Sequence, residues 1–179
     1  MMVQEIKGQR IIEAERVTLR PVRKSDAGLV SLYASDERVA QMTTSIPHPM
    51  PPGAAEAFLE AVMKEDNPET VWALDGSAHG HGEVLGLISL EHVTESQSEV
   101  GYWVAPQFWN TGLASEALHA LVDDNPMADT SIVASIFQDN PASARVVTHA
   151  GFKLIGESEK FSVARGKSVP TWDYILQIG

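Results

Sequence analysis

The chain has no cysteine, and that absence removes three chemistries at once. There can be no disulfide framework, no thiolate zinc site and no cysteine nucleophile. Nor is there any run near the ~18 consecutive apolar residues that a membrane-spanning helix needs. Residues 1–17 alternate charged and apolar positions without the uninterrupted apolar stretch of a secretory signal, so the expected compartment is the cytoplasm. Positive charge is scarce: 13 Lys and Arg stand against 24 Asp and Glu, a formal net charge of −11. Binding to nucleic acid wants clustered Lys and Arg against phosphate, so neither nucleic acid nor membrane is an expected partner. The acidic surplus would suit a cationic substrate, although solubility alone accounts for such a surplus in many proteins. Two nucleotide signatures are also missing, G-x-x-x-x-G-K-[ST] and a G-x-G-x-x-G following a strand.

What is present is the composition of a globular protein. Of the 179 residues, 44% are hydrophobic and 21% charged, which suffices for one core and suggests a single domain over residues 1–179. Residues 16–21 (R-V-T-L-R-P) alternate as a half-buried strand. Ser25 and Asp26 offer N-cap chemistry to a helix carrying Leu29, Val30, Leu32 and Tyr33, and a short helix follows at 36–42. The prolines of residues 43–53 (T-T-S-I-P-H-P-M-P-P-G) exclude regular structure. Phe58, Leu59, Val62 and Met63 then give a helix one apolar face. Strands are predicted at 71–75, 83–90 and 99–104, a helix from about Gly112 that ends before Pro126, a buried strand at 132–137, and a hairpin at 152–161 and 169–178. Between them Asn140 is an N-cap, Pro141 takes the first helical position and Gly151 ends the helix. These elements predict an α/β (α+β) fold with a mixed, mostly antiparallel sheet of about seven strands and helices on both faces. No long apolar edge demands a partner, so a monomer or weak dimer is expected.

One strand-to-helix junction has the makings of an anion site. Residues 104–117 read V-A-P-Q-F-W-N-T-G-L-A-S-E-A. The first N–H groups of a helix lack internal partners and point along its positive end. The small residues Thr111, Gly112, Ala114 and Ser115 would let a phosphate approach them. A second block, residues 140–152, reads N-P-A-S-A-R-V-V-T-H-A-G-F. Together the two resemble the GNAT superfamily of N-acetyltransferases. Trp109-Asn110-Thr111-Gly112-Leu113-Ala114 corresponds to its acetyl-CoA loop, and the second block to its N-x-x-S/A…G-F helix. Trp109 stands where most members carry Gln or Arg. That departure, the run Gly101-Tyr102-Trp103 to Trp109, Gly112, Ala114, Glu116 and Ala117, and the opening residues 15–21 resemble the Rim-type branch that acetylates the N-termini of ribosomal proteins.

The resemblance implies an enzyme that moves acetyl from acetyl-CoA, a cosubstrate, to an amine, with no metal. It implies a sheet splayed in the middle, the pantetheine arm lying between residues 99–104 and 132–137. A backbone N–H near Trp103 or Val104 would face the thioester oxygen. The cofactor would be held by Trp103, Val104, Trp109, Asn110, Thr111, Gly112, Leu113, Ala114, Ser115, Asn140, Ser143 and Arg145. Many members assist the departing thiolate with a tyrosine at the position of Val147; in the Rim-like branch a serine takes that role, here Ser143. The base is Glu99, with Glu91, His92 and water as alternatives. The acceptor would be a protein N-terminus or a small molecule such as a polyamine, amino acid or aminoglycoside, recognised by residues 43–53 and the hairpin tip at 162–170. A CoA-binding regulator without catalysis is the reading from another class. His79 and His81 belong to a glycine-rich turn rather than to a metal clip.

Overall fold

The computed structural model describes residues 9–178; the first eight positions of the alternating N-terminal stretch, and Gly179, lie outside them. In chain order the elements are β1 (Ile12–Glu13), β2 (Thr18–Pro21), α1 (Ala27–Ala34), α2 (Glu37–Ala40), α3 (Ala54–Val62), β3 (Glu69–Asp75), β4 (Gly86–Thr94), β5 (Gln97–Val104), α4 (Leu113–Asp124), β6 (Ser131–Phe137), α5 (Pro141–His149), β7 (Lys153–Ser162) and β8 (Lys167–Gln177). The strands form one sheet in the order β1-β2-β3-β4-β5-β6-β8-β7. Neighbours are antiparallel except β5 and β6, which run parallel. Among the described residues the sheet has eight strands, one beyond the seven that periodicity predicts. The addition is β1, too short at two residues for alternation to register. β4 begins at Gly86, three residues later than predicted, and extends to Thr94 by pairing with the start of β5.

Local chemistry explains the helix boundaries. The Asp36 side chain accepts the Arg38 N–H at 2.9 Å and opens α2. Asn140 Oδ1 accepts the Ser143 N–H at 3.3 Å, with Pro141 at the first helical position of α5. Gly151, at φ 96°, ends that helix in the left-handed region where a β-carbon is unfavourable. Each face of the sheet has its own core. On one, Leu113, Leu118 and Leu121 of α4 and Val147 of α5 pack on Trp72, Ile88, Val100 and Ile132. On the other, Val30 of α1 and Leu59 and Val62 of α3 pack on Val71, Ala73 and Leu87.

Arg20 is buried within β2 because its charge is fully engaged. Its guanidinium donates to both oxygens of Asp26 (2.9 and 3.0 Å), to Asp75 (2.6 Å) and to the carbonyls of Pro21 and Glu83. Breaking one partner of such a pair leaves an uncompensated buried charge, at a typical cost of ~3–5 kcal/mol. At the opposite end of the sheet β7 pairs only with β8. There Leu154, Ile155 and Phe161 are more than half exposed, so this edge is more apolar than the sequence pattern suggested.

Candidate active site

Among the described residues, β5 and β6 pair only from Gln97–Glu99 to Ser131–Val133. Beyond that point β5 stays with β4 as far as Val104, while β6 leaves with β8 as far as Phe137. The N–H of Ala105 donates to Leu85 on the β4 side at 2.9 Å. Backbone groups alternate sides along a strand, so Trp103 and Gly101 also face β4, whereas Val104, Tyr102 and Val100 turn theirs into the gap. The same alternation holds at the far end, where the Ser96 carbonyl accepts the Thr130 N–H at 2.8 Å. This corrects one expectation. Val104 presents its N–H to the gap, but Trp103 does not, and the Trp103 ring packs against the α1/α3 core. The close β4–β5 contact depends on Gly86: a β-carbon there would lie 2.2 Å from the Trp103 carbonyl oxygen.

The turn into α4 is built from two left-handed residues, Asn110 (φ 61°) and Gly112 (φ 80°). Thr111 Oγ1 donates back to the Phe108 carbonyl at 2.5 Å. No side chain caps α4, so the N–H groups of Leu113, Ala114 and Ser115 have no partner among the described residues. The Trp109 indole N–H donates to the Val104 carbonyl at 2.7 Å, which commits its single donor to the backbone. The cation at this turn is Arg16 instead. Its Nη2 lies 3.6 Å from where a Gly112 β-carbon would be. Glu116 holds it by accepting both its N–H (2.6 Å) and its Nε–H (2.7 Å).

Across the gap, Ser143 lies in the first turn of α5, half-buried, and its hydroxyl has no partner among the described residues. Its carbonyl accepts a hydrogen bond from the Tyr102 hydroxyl at 3.3 Å. Burial pushes the Tyr102 phenol up to about 12, and the bond to Ser143 opposes that shift. Arg145 is exposed on α5 and Asn140 lines the cavity beside Ser143.

A cavity of about 280 Å³ takes in Tyr102 and Ser143 from the α4/α5 face, and Glu99 and Trp103 from the other. On the α1/α3 side its walls include the apolar Met42, Ile46, Met50, Phe58 and Val71, with Thr43, Thr44 and Ser45 between them. Its floor carries a row of carboxylates, because Glu69 pairs in register with Glu91 and Glu91 with Glu99. Like charges placed opposite one another in a sheet are destabilising. Lys160 of β7 relieves one of them, its Nζ 2.6 Å from Glu99 Oε2, and Glu99 Oε1 is left without a hydrogen bond among the described residues. Glu91 lines the cavity while His92, which alternates to the other face, does not. The hairpin tip and the segment before α3 meet here: Val163 N–H donates to the Thr44 carbonyl at 3.0 Å, and Arg165 Nη2 to the Gln41 carbonyl at 2.8 Å.

Sequence reasoning missed Arg16, Tyr102 and Lys160 as members of this site. Arg16 and Tyr102 stood inside quoted motifs, but nothing local said where their side chains would go. Lys160 reaches Glu99 across 61 positions of sequence, a contact that no spacing announces. Among the described residues, no cluster of three or more His, Asp or Glu side chains could hold a metal ion, and no helix is long and apolar enough to cross a membrane. His81 makes an edge-on contact with the Phe108 ring, centroids 5.8 Å apart.

Comparison with known proteins gives the family and the fold. Residues 16–153 match the family described as "Acetyltransferase (GNAT) domain". The uncharacterised N-acetyltransferase YoaA of Bacillus subtilis is 22% identical over 171 residues, covering 93% of this chain and 96% of that protein. Among solved structures, RimJ of Mycobacterium smegmatis, in complex with CoA-disulfide, superposes with a TM-score of 0.80 at 19% identity, covering 96% of this chain and 88% of its own. Spermidine N-acetyltransferase of Vibrio cholerae, in complex with CoA and spermine, gives a TM-score of 0.76 at 15% identity, covering 90% and 95%. At such identities the structural likeness speaks for the fold.

Proposed function

The chain belongs to the GNAT acetyltransferase family, and we propose that it carries the acetyl group of acetyl-CoA to an amine by direct attack in a ternary complex. The observation that carries this reading is the cavity at the splay, which brings Tyr102 and Ser143 from one face of the sheet and Glu99 from the other into one space. Residues 1–179 act as one domain, in the cytoplasm, as a monomer or weak dimer.

Acetyl-CoA supplies an activated thioester. Its diphosphate is taken by the N–H groups of Leu113, Ala114 and Ser115 over the turn of Asn110, Thr111 and Gly112. Arg16 offsets its charge, and Asn140 and Arg145 flank it from α5. The Val104 N–H is the donor for the thioester oxygen, and one such preorganised donor is typically worth ~2.7–4 kcal/mol in the transition state. The amine enters from the α1/α3 face, where Glu99 Oε1 takes its proton directly or through water. Ser143 Oγ helps the sulfur depart. An α-amine, with an ordinary pKa of ~7.7–8, is already partly neutral near pH 7 and demands little of its base, which favours a protein N-terminus as acceptor. The carboxylate row of Glu69, Glu91 and Glu99 supports a second reading, a small cationic amine such as a polyamine.

The test is release of free CoA from acetyl-CoA in the presence of N-terminal peptides, polyamines, amino acids and aminoglycosides. Release well above the acceptor-free background with one of these classes supports the proposal and identifies the acceptor. Tight binding of acetyl-CoA with no release above background from any of them would leave a CoA-binding regulator instead.

A further inference from the structure

Tyr102 is a buried ionisable group for which the reaction outlined above has no use. It sits on β5 where that strand has parted from β6, and its backbone faces the gap. Its ring packs with the α4/α5 core, and its hydroxyl reaches across to the first turn of α5 in the wall of the cavity. A buried phenol needs a hydrogen-bond partner. The one it has is a carbonyl that α5 already uses for the N–H four residues on, at 3.3 Å, long for an O–H···O bond. That contact is easily exchanged, and it holds the hydroxyl beside Ser143.

Resting on the acetyl-transfer reading, we infer that the Tyr102 hydroxyl swings from the Ser143 carbonyl to the sulfur of CoA and holds the departing thiolate by a hydrogen bond. The amine lone pair forms the C–N bond, the C–S bond breaks with its electron pair remaining on sulfur, and the amine proton passes to Glu99. Tyr102 keeps its own proton. Burial has pushed its phenol up to about 12, whereas a free thiol ionises near ~8.5, so transfer from phenol to sulfur would run uphill. The same shift keeps Tyr102 a donor well above the pH at which the thiolate begins to form. CoA therefore leaves as the thiolate and takes a proton from water after release.

The proposal is read on bound CoA rather than on turnover alone. The thiolate absorbs in the far ultraviolet, so the thiol of CoA bound to the intact protein can be titrated and compared with Tyr102→Phe, Ser143→Ala running in parallel. In the unsubstituted protein the bound thiol should ionise below its value in free CoA. Tyr102→Phe should raise it, increasing the bound thiol-to-thiolate ratio about tenfold at a fixed pH, and lower kcat about 10–100-fold, with less than a threefold change in CoA affinity and an unchanged melting temperature. An identical thiol titration in the two proteins would overturn the role of Tyr102 and leave the acetyl-transfer reading standing. So would a loss confined to CoA affinity, which marks a packing role. Failure of the unsubstituted protein to bind CoA would overturn both.

Discussion

The two faces of β5 meet one cavity but are made of different materials. On the α4/α5 face, the proposed ligand would meet backbone N–H groups from Val104 and the start of α4, beside small residues and the Arg16 guanidinium. On the α1/α3 face it meets side chains drawn from α1, α3, residues 42–50 and three strands: methionines, Phe58, Trp103 and a row of carboxylates. Backbone recognition constrains the local chain, because a phosphate can reach an N–H only where side chains are small and the turn is left-handed. Side-chain recognition constrains no single segment. The donor half of such a site is thereby fixed in form, and the acceptor half is free to vary.

The sharpest way to break that contrast is at Gly112. Gly112→Asp puts a carboxylate beside the diphosphate site and next to Arg16, and acetyl-CoA should no longer raise the melting temperature. Gly112→Ala, which adds the strain of a β-carbon at positive φ (~1–2 kcal/mol), should keep most of the shift. Equal shifts in all three proteins would remove this turn from the donor half.

On the same face, Ser143→Ala should lower kcat by ~10²–10⁴-fold, the usual range for acid–base assistance, with acetyl-CoA affinity nearly intact. Opposite it, Glu99→Gln should cost about 10²-fold. That loss should shrink as pH rises and the amine deprotonates unaided; a loss constant with pH would reassign Glu99 to structure. Gly86→Ala strikes both faces together, because its β-carbon collides with the Trp103 backbone. Overpacking of this kind typically costs ~1–3 kcal/mol, read by denaturant unfolding.

The smallest effect belongs to the acceptor side alone. Arg165 bonds the Gln41 carbonyl and both oxygens of Asp139, tying the hairpin tip to the segment that roofs the cavity. Arg165→Ala should raise the acceptor KM severalfold and leave acetyl-CoA binding alone. The hydrogen bonds from Arg165 hold the Asp139 carboxyl below its ordinary range. A depressed carboxylate contributes above its unfolded pKa of ~3.9 and loses that contribution as pH falls through the folded value. The tie should thus be complete from about pH 5 upward and weaken below about pH 4, an acid-side dependence that Arg165→Ala should reduce. Acid unfolding curves of the two proteins check this.

Much of this molecule was legible beforehand. The helix of Leu113, Ala117, Leu118 and Leu121, its start at Gly112 and the Asn140–Pro141 start of α5 each follow from hydrophobic period or capping chemistry. Those are interactions between residues a few positions apart, and the sequence by itself determines them. It did not reveal that β1 adds an eighth strand, that Trp103 turns its N–H toward β4, or that Lys160 meets Glu99. It also did not show that Arg16 stands beside Gly112 while Trp109 spends its donor on Val104. Each of these depends on register or on contact between distant segments, and only the tertiary structure decided them. A pattern of residue types fixes which face of an element is buried. Which side chain lies against which is settled when the separate elements close-pack into one volume.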